Sequence, residues 1–168
     1  MNLLIGKRER KEYIIPHFHE DTSCGKTVRE HWFENKTNNI TLFISGECKT
    51  VDMMEKALNN NYKTVLLIGP TIAQSNKSLL VELKEKFNQE FKIFQLPQRP
   101  EGHSTLINNN LFFEDEHSVE GDYEWAQVIE NATKSEIDFF KAGFLADVNL
   151  AKELTIEDLR NIPTYPDL

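Results

Sequence analysis

The sequence contains no run of 18 or more apolar residues, so no stretch of it can span a bilayer as a helix. Basic residues are in the minority: 19 Lys and Arg stand against 27 Asp and Glu, a formal charge of −8. That balance argues against a broad nucleic-acid-binding face, because phosphate contacts need clustered Lys and Arg. One local basic patch remains, Lys7 to Lys11. Cysteine is scarce, and Cys24 and Cys48 stand too far apart to make a metal-type pair. Both are expected as free thiols of a reducing compartment. The short apolar piece Leu3-Leu4-Ile5 precedes its charged run, the reverse of a secretory signal, so a cytoplasmic location is expected. Internal repeats and low-complexity segments are absent as well.

What is present is enough apolar residue for one core: 39% of 168 residues. From Ile40 onward these residues fall in a regular order. Ile40–Ser45 reads as a strand. Val51–Asn59 follows with Val51, Met54, Ala57 and Leu58 at helical spacing and Thr50 as its cap. Thr64–Ile68 is a continuous β-branched and aliphatic run, the pattern of a strand covered on both faces. Ser78–Phe87 sets Leu79, Leu80, Leu83 and Phe87 on one helical face, and Phe91–Leu96 is the third strand. Strands and helices alternating at these intervals predict parallel βαβ units.

After Pro97 the alternation stops. Ser104–Ile107 and Leu111–Glu114 flank Asn108-Asn109-Asn110, a hairpin signal because asparagine tolerates positive φ. Glu114 to Glu124 holds six carboxylates and no Lys or Arg, and reads as an acidic, solvated loop that could meet a cation or a basic partner. Ala126–Glu130 predicts another strand. Lys134–Leu145 predicts a helix with Ile137, Phe140, Phe144 and Leu145 as its stripe, and Thr155 with Asp158 has capping-box spacing for a short last helix. Residues 1–39 are the least regular part. Glu12–Pro16 predicts an edge strand ended by proline, and Lys26–Glu34 a helix capped by Thr22 or Ser23, with Val28, His31 or Trp32, and Phe33 as its apolar face. Trp32 and Trp125 are expected as partly buried anchors.

The expected fold is therefore α/β. It is a single domain with a mainly parallel central sheet, helices on both faces and an antiparallel hairpin. Residues 40–168 form the α/β domain, and residues 1–39 form an N-terminal strand-and-helix extension of the same compact unit.

In a sheet of this kind, ligands gather at the carboxyl ends of the parallel strands. The loops Ser45-Gly46-Glu47 and Gly69-Pro70-Thr71 belong there, and His103 enters its strand just after a Pro/Gly corner. An imidazole so placed can act as a nucleophile, a proton shuttle or a phosphate-binding cation. The Gly69-Pro70-Thr71 corner is also a candidate nucleotide site, which would imply a Rossmann-like nucleotide-processing enzyme. His17, His19 and Asp21 form a second constellation. Alternate histidines project to one side of a strand and can share a metal, with Cys24, His31 or His117 as a further ligand. The pattern is similar to the His-x-His-x-Asp-His of metallo-hydrolases, but Thr22 stands where the last histidine belongs. SCGKT lacks the leading glycine of a phosphate loop, that position being Glu20. No cofactor is expected.

The segment Ile40 to about Leu145 resembles one half of the phospholipase D-like superfamily. The features that carry the likeness are ITLFISGE, VDMMEKALNNNYKTVLLIGP, LLVELKEKFNQEFKIFQL, GHSTLINNNLFFEDEH and VIENATKSEIDFFKAGF. The resemblance implies that His103 occupies the position of a nucleophile forming a phosphohistidine, and that a lysine two residues on stabilises phosphate charge. Here Thr105 takes the lysine's position, Asn110 takes that of an aspartate, and no Gly-Ser-x-x-Asn follows. A neutral hydroxyl cannot neutralise a phosphate, a loss of roughly several kcal/mol in a transition state. The resemblance also implies that a single half must dimerise to bring two such histidines together. The reading is thus a domain with a degraded catalytic motif, binding a small anionic or phosphorylated ligand or a protein partner as a homodimer. Ser45, Thr71, Thr105 and Asn110 would line the pocket around His103. The alternative is a divergent phosphodiesterase or nuclease in which His103 still acts.

Overall fold

The structure is a computed structural model, and it describes residues 9–18, 28–46, 48, 50–115 and 123–165. Chain order runs β1 (Lys11–Phe18), β2 (Ile40–Ile44), α1 (Val51–Asn59), β3 (Lys63–Ile68), β4 (Ile72–Ala73), α2 (Gln74–Lys86) and β5 (Phe91–Gln95). It continues with β6 (Gly102–Ile107), β7 (Asn110–Asp115), β8 (Tyr123–Glu130), α3 (Lys134–Leu150), β9 (Lys152–Glu153), α4 (Ile156–Arg160) and β10 (Thr164–Tyr165). Among the described residues one mixed sheet of eight strands organises the fold, in the order β1-β8-β7-β6-β2-β3-β5-β9, and β4 pairs separately with β10.

The expectation of a mainly parallel sheet is corrected. Only β2–β3 and β3–β5 are parallel within it. The pairings β1–β8, β8–β7, β7–β6, β6–β2 and β5–β9 are all antiparallel. Parallel neighbours need a crossover, and α1 and α2 supply the two that exist. Beyond Pro97 no helix intervenes before the chain turns back at Asn108-Asn109, so those strands run antiparallel.

Helices lie on both faces. Successive strand residues point to opposite sides. Phe43, Leu66, Ile68 and Ile93 accordingly share one core with Met54, Leu58, Leu80 and Leu159 from α1, α2 and α4. Leu42, Leu67, Leu106 and Leu111 share the other core with Phe140 and Phe144 of α3. The stripe of α3 is as spaced except for Leu145, which is 60% exposed because it lies a further 100° round the helix from Phe144. Trp32 is buried in the first core, whereas Trp125 is 57% exposed on β8, so it is no buried anchor. Thr50 sits at the N-cap of α1 without a side-chain capping bond. Thr155 and Asp158 do form a reciprocal capping box, and Thr133 and Glu136 form another at α3.

The predicted helix over Lys26–Glu34 is shorter among the described residues. Residues 28–30 are helical and tighten into a 3₁₀ turn at His31–Phe33. Thr22 and Ser23 lie outside the described residues. This segment is held by Asn108, which turns the β6–β7 hairpin at φ 56° while only 2% exposed. Its Oδ1 accepts from the backbone N–H of Thr37 (2.9 Å) and Asn38 (3.2 Å). Its Nδ2 donates to Trp32 O (2.6 Å) and to the Tyr62 hydroxyl (3.0 Å).

Two outcomes follow for stability. Asn108→Ala strands buried donors and acceptors at a left-handed position, and urea denaturation should show a loss of about 2–4 kcal/mol. Asn108→Gly, which relieves the φ strain alone, should lose less. The second concerns Glu136, whose carboxyl is held down at about 2 by Arg10 and then by the Thr133 N–H. A depressed folded value contributes stability that is full above the ordinary 4.5 and is lost as pH falls toward 2. The stability of Glu136→Gln, read by urea denaturation, should therefore fall less steeply than that of wild type across that acid limb.

Candidate functional site

The parallel strands β2, β3 and β5 end together, at Ser45-Gly46, Gly69-Pro70 and Leu96. Backbone bonds lock the edge: Ser45 N–H donates to Leu67 O (3.0 Å), Gly69 N–H to Gly46 O (3.3 Å) and Leu96 N–H to Ile68 O (2.9 Å). β6 runs against β2 with Thr105 opposite Phe43 and Ser104 opposite Ile44. One step further, His103 comes to the level of Ser45, at the carboxyl ends of the parallel strands. His103 is half-buried and Ser45 is buried. His103, Thr105 and Ile107 alternate onto the face that carries α1 and α2; Ser104 points to the other.

The corner is closed by the segment between β5 and β6. A Cβ placed on Gly46 would lie 3.3 Å from Arg99 Cγ, and one on Gly69 would lie 3.2 Å from Arg99 Cα. The glycines thus let the Arg99-Pro100 backbone settle onto the strand ends, with Arg99 itself exposed at the rim. Gly69 of the Gly69-Pro70-Thr71 corner is thus packed against Arg99, while Thr71 stays exposed.

Beneath His103 lies a buried polar cluster. Thr105 is 2% exposed and accepts a 2.9 Å hydrogen bond from Arg29 Nη1. The Arg29 guanidinium stacks on Phe112, 4.2 Å from the ring centroid, and Phe112 is the register partner of Thr105. Glu114, 8% exposed, is the register partner of His103. Burial lowers the Arg29 guanidinium to about 10, while the carboxylates of Glu114 and Asp52 act in the opposite direction. It stays cationic at neutral pH.

Of the residues expected at the site, the structure brings together His103, Ser45 and Thr105. Thr71 is exposed beyond the Gly69-Pro70 corner. Asn110 is not brought to it. It stands at the turn end of the hairpin, about 13 Å along the strands from His103. There its side chain donates to Ile107 O (3.3 Å) and accepts from Asn131 N–H (3.0 Å). His17 lies on β1, at the sheet edge and three strands from β6. His19, Asp21, Cys24 and His117 lie outside the described residues, as does most of the acidic loop. Among the described residues no group of three or more His, Cys, Asp or Glu could hold a metal. Arg29 and Arg99 escaped sequence reasoning. For Arg29 a signal existed: helical spacing sets it with Trp32 and Phe33, a charge on the apolar face.

Two concavities lie elsewhere, and neither includes His103. One of about 850 Å³ is lined by Lys84, Lys92, Glu153 and Arg160. The other, about 730 Å³, runs beside α3 over Ile44, Phe113 and Phe140 on the opposite sheet face.

No protein-family model matches this sequence, and no curated protein does. Among solved structures it is similar to TrmBL2, described as an archaeal chromatin protein with a novel mode of DNA binding. That match has a TM-score of 0.66 and 16% identity, covering 87% of this chain and 54% of TrmBL2, so the chain spans about half of that protein. It is similar to Nuc, a phospholipase D family member from Salmonella typhimurium (TM-score 0.62, 9% identity, 87% and 99% covered). It is likewise similar to NucT from Helicobacter pylori (TM-score 0.59, 9% identity, 87% and 100% covered). The chain has a phospholipase D-like fold.

Cys48 lies next to this edge, its N–H bonded to Ser45 O (3.1 Å) and its thiol fully buried and pushed up to about 12 by burial. Iodoacetamide should leave Cys48 unmodified in native buffer and alkylate it in guanidinium chloride, as read by peptide mass spectrometry. Rapid alkylation of Cys48 in native buffer would contradict this burial.

Proposed function

We propose that this chain is a phospholipase D-like domain with an incomplete catalytic set that binds a small anionic, phosphorylated ligand as a regulatory module. The ligand sits at the edge where His103 meets Ser45, Gly46 and Arg99. The observation that carries the reading is the state of position 105. A buried threonine, already bonded to Arg29, stands two residues from His103, and its neutral hydroxyl supplies no positive charge to a phosphoryl group in transfer. Such a site holds an anion in its ground state and adds little in a transition state. We further propose that the module works as a homodimer. TrmBL2 is described as binding DNA, but a net charge of −8 argues against a broad face for it, and duplex DNA at physiological salt is not the ligand we propose.

The test pairs turnover with binding. A chromogenic phosphodiester and DNA should both remain uncleaved, with and without EDTA. Inorganic phosphate should raise the melting temperature in wild type, by about 1.4 kcal/mol of stability at ten times its Kd, and have no effect in His103→Ala. EDTA-resistant turnover that disappears in His103→Ala would instead establish a working nucleophile, the phosphodiesterase or nuclease reading. Gel-shift titration with duplex DNA serves as the third arm, and tight binding there would replace the small-anion reading.

A further inference from the structure

The two faces of the sheet are covered unequally. Among the described residues α1, α2 and α4 pack on one face, and α3 alone on the other. Beneath α3 runs the row Leu42, Leu106, Leu111 and Ile129, register neighbours on β2, β6, β7 and β8. Two residues away along each strand, the same face carries the row Ile44, Ser104, Phe113, Gln127 and, on β1, Ile14. That row is open at its outer end, where Ile14 is 63% exposed. Ile44, Ser104 and Phe113 floor the groove of about 730 Å³, and Phe139 and Gly143 of α3 wall it. Phe139 is 84% exposed, and a Cβ placed on Gly143 meets nothing within 4 Å.

The open row lies about 7 Å from the one under α3, close to the spacing of about 8–10 Å between packed helices. It spans four strand spacings, about 19 Å, the length of about 13 helical residues. A helix is the form that fits, because the face of a sheet offers no backbone hydrogen bonds and a helix satisfies its own. Charge decides its composition. The groove is lined by the carboxylates of Glu136 and Asp147 and by no Lys, Arg or His. Glu136 is bonded to Arg10, whereas the half-buried Asp147 carboxylate has no ion pair or hydrogen bond among the described residues. A second copy of this chain would bring the same two carboxylates and a further −8 to the groove; a cationic helix brings the complement. We propose that the groove beside α3 receives one amphipathic, Lys- or Arg-bearing helix of a partner protein. Its apolar side meets Ile44, Phe113 and Phe139, and a basic residue meets Asp147. The groove lies on the sheet face opposite His103, and the inference is independent of the ligand proposed there.

The probe is a dye-labelled peptide of about 14 residues, Leu and Lys spaced as an amphipathic helix, titrated with the folded wild-type chain and read by fluorescence anisotropy. It should bind saturably, one per chain, and a Leu/Glu peptide of the same spacing should not bind. Gly143→Leu fills the groove, keeps the net charge and favours the helix. Its melting temperature should be no lower than that of wild type, while peptide affinity falls about tenfold or more. Asp147→Asn should weaken binding by about threefold or more. Asp138→Asn removes an equal charge elsewhere on α3, where Asp138 pairs with Lys134, and should weaken it less. Unchanged affinity in folded Gly143→Leu would reduce the binding to general attraction by an acidic surface and overturn the inference. Equal losses in the two aspartate variants would overturn the role of Asp147. Should Gly143→Leu not fold, Phe139→Ser, which removes an exposed wall, decides in the same way. Failure of the Leu/Lys peptide to bind wild type also overturns the inference. So does a wild-type dimer, seen by sedimentation, that Gly143→Leu dissociates, because the groove would then belong to a second copy.

Discussion

The arrangement depends on one buried amide. Asn108 occupies the turn of the β6–β7 hairpin in a left-handed conformation that most residues enter at a cost, and its side chain then satisfies four groups on two other parts of the chain. Backbone groups of Trp32, Thr37 and Asn38 find partners there that water would otherwise have to supply. Tyr62, 1% exposed at the start of β3, closes the same network. The hairpin, the irregular N-terminal segment and the first βαβ unit are therefore locked at a single point. If that lock slipped, the hairpin would lose the contact that sets Arg29 over Thr105.

Burying a guanidinium is costly unless its donors and its charge are answered. Arg29 meets both demands with one hydroxyl acceptor, one aromatic face and two carboxylates acting from Glu114 and Asp52. The planar, delocalised guanidinium is suited to stacking, which a lysine ammonium is not. Lys84 solves the same problem differently: its Nζ donates to Asn88 O (2.8 Å) and Phe91 O (2.6 Å), closing the end of α2. The first buried cation stands beside the candidate site, the second far from it. Burial of charge alone does not identify function.

The mixed sheet divides the work. Its parallel part, β2-β3-β5, brings three strand ends to one edge. Its antiparallel part, β6-β7-β8-β1, extends the floor and carries His103 to that edge from the opposite direction. A wholly parallel sheet would begin the His103 strand at the far edge. Antiparallel pairing of β6 with β2 is what places an imidazole beside Ser45.

Spacing along the chain determined the local units. The periods of Val51–Asn59 and Phe91–Leu96, the asparagine turn and the Thr155 capping box could all be read, because each depends on residues a few positions apart. Element order also carried the likeness to a phospholipase D-like half and marked His103. Tertiary structure alone decided the rest. Nothing local states that the hairpin docks on β2, or that Asn110 stands at the turn while His103 stands level with Ser45. Nor does it show that Leu145 and Trp125 point outward. Arg29 and Thr105 are 76 residues apart, and their bond exists only once sheet and N-terminal segment have packed. Sequence spacing encodes periodicity within an element; which elements meet is set by the burial and hydrogen-bond satisfaction of the whole molecule.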